Sequence, residues 1–82
     1  MQQKRSPPEI IAQIVDATLE GKRKTRIMYD VRIDFRTLEK YLEYLVAKRL
    51  LERNGLHYRA TARGKQFVEK YKEALKILKG SG

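Results

Sequence analysis

The chain has no cysteine and a single histidine, His57, among its 82 residues. It can therefore form no disulfide or thiolate metal site, and one histidine cannot assemble a histidine metal cluster or a nucleophile–base triad. No apolar run approaches the roughly 20 residues of a membrane-spanning helix, and the N-terminus lacks the apolar segment of a secretion signal. We expect a cytoplasmic protein that is not an enzyme, with no metal, cofactor, membrane or small-molecule substrate.

Acidic residues are also few: ten Asp and Glu stand against nineteen Lys and Arg, a formal net charge of +9. So large a positive excess on one small domain favours a polyanion partner, most often nucleic acid and less often a membrane surface. The alternative is that the charged side chains only form a solvated surface and bind no polyanion. A core of this size is marginal, so a second subunit is the simplest further source of stability.

The first half of the chain predicts three helices. Apolar residues recur at helical spacing over residues 7–20, after a Ser6-Pro-Pro-Glu start that is typical of a helix N-terminus. Residues 1–5 before it are predicted to form a flexible arm, and residues 22–24 a basic loop. Thr25 can then cap a short second helix.

The third helix is predicted to begin at Asp34, whose carboxylate can cap its N-terminus, and to end near Lys48. Residues 30–33 read as the turn before it. Further along, Asn54-Gly55 predicts a two-residue hairpin turn in which both residues have positive φ.

The second half predicts the β-hairpin followed by a last helix. We divide the chain into a core over residues 1–60, a last helix over 61–79 and a flexible tail over 80–82. Helices joined by a short turn and followed by a hairpin are the plan of a winged helix-turn-helix. The predicted fold is mostly α with a small β-hairpin, an α+β fold with a C-terminal dimerisation helix.

The outer face of the third helix carries side chains suited to a DNA groove. At about 100° per residue its leucines face inward, and the opposite strip consists of Arg36, Thr37, Lys40 and Tyr44. Arginine can give two donors to guanine, and threonine can touch a thymine methyl group or a phosphate. Pairing of Arg36 with Glu39 and of Lys40 with Glu43 on a solvated helix is the alternative.

Five further residues are predicted to hold the DNA backbone. They lie near the turn or on the hairpin, and they are Arg26, Arg32, Arg53, His57 and Arg59. The alternative is that the hairpin only connects two helices, and that its tip is polar because turns are generally polar.

The last helix has a wide apolar stripe with near-heptad spacing. The stripe predicts dimerisation through Phe67, Tyr71, Ala74, Leu75 and Leu78. The alternatives are a monomer whose last helix lies along the first, and a basic amphipathic helix on a membrane surface.

Three motifs resemble those of a family of small archaeal winged-helix DNA-binding proteins. Lys-Thr-Arg-Ile-Met-Tyr at 24–29 is similar to the family's second helix, and Leu-x-x-Tyr-Leu-x-x-Leu at 38–45 to its recognition helix. Tyr-x-x-Thr-x-x-Gly-x-x-Phe at 58–67 is similar to its junction between strand and last helix. Asp30 stands where the family often has glycine, and aspartate tolerates unusual backbone angles.

The resemblance implies a homodimer that binds double-stranded DNA, paired through a C-terminal antiparallel coiled coil. Members are transcriptional regulators or chromatin-associated proteins, so we expect a nucleoid-associated protein. The last helix here is shorter than the family's coil. A sequence-specific regulator and an architectural protein both remain open. Two functions of different classes also stay open: a winged-helix protein–protein module without DNA specificity, and an RNA-binding protein.

Overall fold

The computed structural model describes residues 5–79, which form four helices and three short strands. The elements in chain order are α1 (Pro7–Ala17), β1 (Lys22–Arg23), α2 (Lys24–Val31), α3 (Phe35–Ala47), β2 (Leu51–Asn54), β3 (His57–Ala60) and α4 (Ala62–Lys79). This order confirms the predicted, mostly helical α+β winged-helix architecture. Residues 1–4 of the predicted arm and the predicted tail over 80–82 lie outside the described residues.

The first helix begins where the sequence predicts but ends earlier than residue 20. Ser6 Oγ accepts a hydrogen bond of 3.4 Å from the Glu9 amide, as a cap should. The buried Thr18 hydroxyl donates to the Ile14 carbonyl at 2.9 Å, and the Thr18 carbonyl accepts from the Ala60 amide at 2.9 Å. The chain therefore leaves the helix at Thr18 because that residue is bonded to β3.

The predicted basic loop contains a strand. Lys22 pairs with Tyr58 and Arg23 with His57, so the sheet is antiparallel in the order β1-β3-β2. The sequence predicts only the β2–β3 hairpin, because a strand of two residues has no periodicity and its partner lies far along the chain.

The predicted hairpin turn is displaced by one residue. Asn54 pairs with His57, so the two turn residues are Gly55 and Leu56 rather than Asn54 and Gly55. Gly55 has a φ of 60°, and Leu56 is not among the residues with positive φ. A positive φ at the first central residue alone is typical of a type II′ turn, which requires glycine there.

The hydrophobic core lies between the helices and the inner face of the sheet. Its largest fully buried apolar side chains come from α1, α2, α3 and β2, and they are Ile14, Val15, Ile27, Leu38, Leu42, Leu45 and Leu51. The last helix closes this core through Val68, which is buried. It packs along α1 closely enough that Gly64 lies against Val15.

Candidate nucleic-acid interface

The N-terminus of α3 is capped as the sequence predicts. The Asp34 carboxylate accepts a hydrogen bond of 3.1 Å from the Thr37 amide. Hydrogen bonds from the Thr37 side chain and amide hold the pKa of Asp34 below its usual value. Because this cap fixes where the helix starts, and the leucines fix which face is buried, the opposite face is presented to solvent.

The outer face of α3 is open along its length. We call its predicted DNA-contact residues the α3 strip: Arg36, Thr37, Lys40 and Tyr44. The side chains of Arg36 and Lys40 are exposed, Tyr44 is 49% exposed and Thr37 is half-buried. The structure thus places all four on one accessible surface, with the two cations furthest from the core.

The charge pairs that would neutralise the α3 strip do not form among the described residues. Neither Arg36–Glu39 nor Lys40–Glu43 is an ion pair there. Glu39 instead accepts a hydrogen bond of 3.1 Å from Lys24, whose ammonium lies 5.2 Å from the centre of the Phe35 ring. The acid nearest the strip is therefore drawn towards the start of α2.

The turn between α2 and α3 differs from its prediction. Asp30 and Val31 belong to α2, and the residue with the left-handed backbone is Arg32, at φ 59° and ψ 59°. The unusual backbone angles that the sequence predicts at Asp30 therefore occur at Arg32 instead. The Arg32 side chain is exposed beside the start of α3.

Arg5 holds this turn, although the sequence places it in a flexible arm. Its guanidinium donates to the carbonyls of Val31 and Arg32, both at 2.8 Å, and to the side-chain oxygen of Gln13. Three bonds from one guanidinium join α1 to the end of α2. The chain spacing of 26 and 27 residues leaves no local pattern that could have revealed them.

Arg26, a predicted backbone contact, is engaged with an acid. Its Nε lies 3.3 Å from the Asp30 carboxylate, which also accepts a bond of 2.6 Å from Lys22. The Lys22 hydrogen bond, assisted by the charge of Arg26, lowers the pKa of Asp30. The Arg26 side chain is still 68% exposed, so it faces solvent with part of its charge compensated.

We call β2, β3 and the turn between them the wing. Its two faces carry different predicted DNA-contact residues. Arg53 donates to the Gly55 carbonyl at 3.2 Å and lies 5.7 Å above the Tyr58 ring. It lines a groove with Glu43 of α3. His57 and Arg59 alternate with the buried Tyr58 and so lie on the other, exposed face.

Arg23 belongs to this region although it was not among the predicted site residues. It pairs with His57 in the sheet and is exposed. The structure therefore brings Arg23 and His57 together beside the turn, on the strand face away from Arg53. Arg59 lies further from the turn, opposite Glu52.

The predicted dimerisation residues of α4 fall into two groups. Phe67 and Tyr71 are half-buried against the core and stack with their ring centres 6.2 Å apart. Beyond them the helix is exposed: Leu75 at 36% and Leu78 at 81%, with Ala74 exposed as well. Ile77, at 78% exposed, adds an apolar side chain that the prediction omitted.

The described residues contain no cluster of three or more His, Cys, Asp or Glu side chains that could hold a metal ion. Among the helices of the same part of the chain, none is sufficiently long and apolar to span a membrane.

Comparison with known proteins agrees with the architecture. Two uncharacterized proteins of Methanocaldococcus jannaschii are similar to this chain: one is 33% identical over 76 residues, covering 92% of this chain and 78% of that protein. The other is 29% identical over 76 residues, covering 92% of this chain and 36% of that longer protein.

The crystal structure of Sso10a-2, a DNA-binding protein from Sulfolobus solfataricus, superposes with a TM-score of 0.80 at 26% identity. The match covers 92% of this chain and 83% of Sso10a-2. The resemblance to small archaeal winged-helix DNA-binding proteins is thereby confirmed. A family model described as winged helix-turn-helix matches residues 4–79, and the chain belongs to that family.

Proposed function

We propose that the chain binds double-stranded DNA with the α3 strip in the major groove and the wing against the neighbouring backbone. One observation carries this proposal: Arg36 and Lys40 are exposed and form no ion pair among the described residues, while Glu39 and Asp30 pair with other cations. Two cations that no acid among the described residues neutralises thus lie on the face that a recognition helix presents. Sso10a-2 is itself a DNA-binding protein.

The roles of the residues follow from their positions. Arg36 and Thr37 lie in the first turn of α3, the part of a recognition helix that meets base edges. Lys40 and Tyr44 lie one and two turns further along. We assign phosphate contacts to further basic residues near the turn and on the sheet, namely Arg23, Arg26, Arg32, Arg53, His57 and Arg59.

The exposed end of α4 supports a homodimer. Leu75, Ile77 and Leu78 remain accessible in a single copy. The spacing of 4, 3 and 4 residues from Phe67 through Tyr71 and Ala74 to Leu78 is typical of helices that pair. A second copy's α4 is the partner that buries them, in an antiparallel arrangement. A two-fold dimer would present two α3 strips to two half-sites.

Within DNA binding, a transcriptional regulator and an architectural, nucleoid-associated chromatin protein are the two biological roles that fit. Affinity that comes mainly from phosphates fits both. Nuclease footprinting on mixed-sequence DNA separates these two roles. A regulator protects a site with defined boundaries, whereas an architectural protein protects DNA without such boundaries.

The test is the double variant Arg36→Ala/Lys40→Ala, with Lys65→Ala/Lys76→Ala on α4 as its control. Both variants remove two positive charges from exposed helix positions. Fluorescence anisotropy with a 20-base-pair duplex is recorded across a salt series. We expect the α3 variant to lose at least tenfold in affinity and its salt slope to fall by about 1, because Arg36 is assigned to base edges and one phosphate contact, that of Lys40, contributes about 0.9 to that slope.

The control variant should lose only the small part of its duplex affinity that depends on net charge. The melting temperatures of both variants should stay near that of the parent. Equal losses in the two variants would contradict the assignment of the α3 strip. Weak binding of the parent with no salt dependence would instead favour the protein–protein module.

A further inference from the structure

A cleft of about 600 Å³ opens on the side of α3 away from the wing. Its apolar lining comes from three parts of the chain: Ile11 of α1, Leu50 before β2 and Phe67 of α4, all half-buried. Tyr44, 49% exposed, joins them from α3. The volume lies in the range of small-molecule sites, which are typically apolar with a few polar groups.

The charged side chains that line the cleft are all positive. They are Lys48, Arg63 and Lys70, and no acidic residue is among the described residues of the lining. Arg63 is fixed there, because its Nε donates to the Lys48 carbonyl at 3.0 Å. The Lys48 ammonium lies 5.8 Å from the centre of the Tyr44 ring. An apolar cleft lined by three cations complements an apolar body that carries a negative charge.

The charge of the cleft argues against a second copy of this chain as its occupant. The exposed end of α4 is the segment with two of the most exposed apolar side chains, Ile77 and Leu78, and it carries Lys76 and Lys79 in its last turn. Bringing these lysines to Lys48, Arg63 and Lys70 would place like charges together. A DNA backbone would satisfy the cations but would leave the apolar lining without a partner.

We propose that this cleft binds a small amphipathic anion, an aromatic or branched carboxylate whose body covers Ile11, Leu50 and Phe67. Its carboxylate lies between Lys48 and Lys70. Because Tyr44 both lines the cleft and belongs to the α3 strip, an occupied cleft would alter that end of the strip. This last consequence rests on the proposed DNA binding, whereas the binding of the anion does not.

The test is a titration of the ¹⁵N-labelled full chain, without DNA, with 4-phenylbutyrate and with the uncharged 4-phenylbutan-1-ol. We expect the acid to shift the amides of Leu50, Gln66 and Phe67 in a saturable way and the alcohol to bind at least fivefold more weakly. Since no duplex is present, this result is independent of whether the proposed DNA binding holds.

The matched variants are Lys48→Gln/Lys70→Gln and, outside the cleft, Lys65→Gln/Lys76→Gln. Exposed ion pairs contribute a few-fold each, so the first variant should bind the acid about tenfold more weakly and the second as the parent does. Equal affinity for acid and alcohol, equal losses in the two variants, or no saturable shift would overturn the proposal. The same amide shifts on raising protein concentration alone would show a second copy in the cleft and would also overturn it.

Discussion

Arg32 combines an unusual backbone conformation with an exposed positive charge beside the start of α3. It ends α2 in the left-handed region, which costs an L-residue with a Cβ about 1–2 kcal/mol. Its amide donates to the Met28 carbonyl at 2.9 Å, and its own carbonyl is held by Arg5. The surrounding bonds therefore impose a conformation that arginine does not favour, and they set the direction in which α3 begins.

Replacing Arg32 with glycine should stabilise the protein. Glycine removes the left-handed cost, and its greater freedom in the unfolded chain offsets part of the gain. We expect the free energy of unfolding to rise by about 0.5–1 kcal/mol, measured by urea denaturation. Arg23→Gly is the control, because Arg23 has a φ of −81° and glycine there should destabilise. A less stable Arg32→Gly variant would show that its side chain outweighs the backbone cost.

The Asp34 cap predicts a specific loss of stability in acid. Its pKa is lowered in the folded protein, so its contribution is present above the unfolded-state pKa of about 3.9 and is lost as pH falls through the folded value. In the Asp34→Asn variant the amide side chain would still cap the helix but would not titrate.

We therefore expect the parent to be more stable than Asp34→Asn at pH 7 and this difference to shrink below about pH 4. Urea unfolding curves between pH 2.5 and 7 measure it. A difference that stays constant across this range would mean that the charge of Asp34 contributes nothing to the cap.

At the scale of elements, the junction between β3 and α4 is closely packed. The Thr61 hydroxyl donates to the Arg49 carbonyl at 2.7 Å and accepts from the Gly64 amide at 3.0 Å. A Cβ on Gly64 would overlap the carbonyl oxygen of Leu50. The threonine and the glycine of this motif thus serve one purpose, which is to bring the start of α4 against the chain entering β2.

Gly64→Ala should consequently destabilise the protein although alanine is the better helix former. The overlap is with backbone, which cannot rotate away, and such overpacking costs about 1–3 kcal/mol. Thermal and urea unfolding measure the change, with Lys65→Ala, at the next and exposed position, as the control. An unchanged or raised stability would show that α4 can shift away from Leu50 at no cost.

Most of the elements that the sequence predicts well have local signals, although the predicted cap at Thr25 is wrong: α2 begins at Lys24, after Arg23, with no side-chain cap. The caps at Ser6, Asp34 and Thr61 each bond to an amide three residues later, so their partners are visible in the sequence. By contrast, β1 depends on β3 and the end of α1 depends on Ala60. Pairings between distant segments leave no periodicity in a two-residue strand or a helix end.

The same distinction applies to the candidate interface. The exposed face of α3 follows from helical spacing, and the structure places the α3 strip there. The sequence could not reveal that Glu39 would pair with Lys24 rather than Arg36, because the partner comes from another element. By contrast, strand alternation alone is enough to put Arg53 on the face of a hairpin opposite His57 and Arg59, as the structure does.

At the scale of the whole molecule, α4 has a packed part and an accessible part. Val68 is buried on the core, and Lys72 lies 3.9 Å from Asp16 of α1. Past these contacts, Ile77 and Leu78 remain exposed. The helix thus packs on the domain over its first part and leaves an exposed apolar end, which the proposed homodimer would bury.

Leu78→Glu should weaken the proposed homodimer. A charge in an apolar helix pair must be desolvated, so we expect the dimer dissociation constant to rise at least tenfold, measured by sedimentation equilibrium at micromolar concentration. Gln66→Glu adds the same charge to the first half of α4 and is the control. A Leu78→Glu variant that remains as dimeric as the parent would exclude this end of α4 from the interface.

The packing of α4 on α1 has a consequence for biosynthesis. Among the described elements α1 is synthesised first and α4 last, and β1 likewise waits for β3. Early segments of this domain therefore have only partial partners until Val68 has emerged. The apolar face of α1 would stay partly exposed until then, and the packing of the domain would be completed late rather than helix by helix.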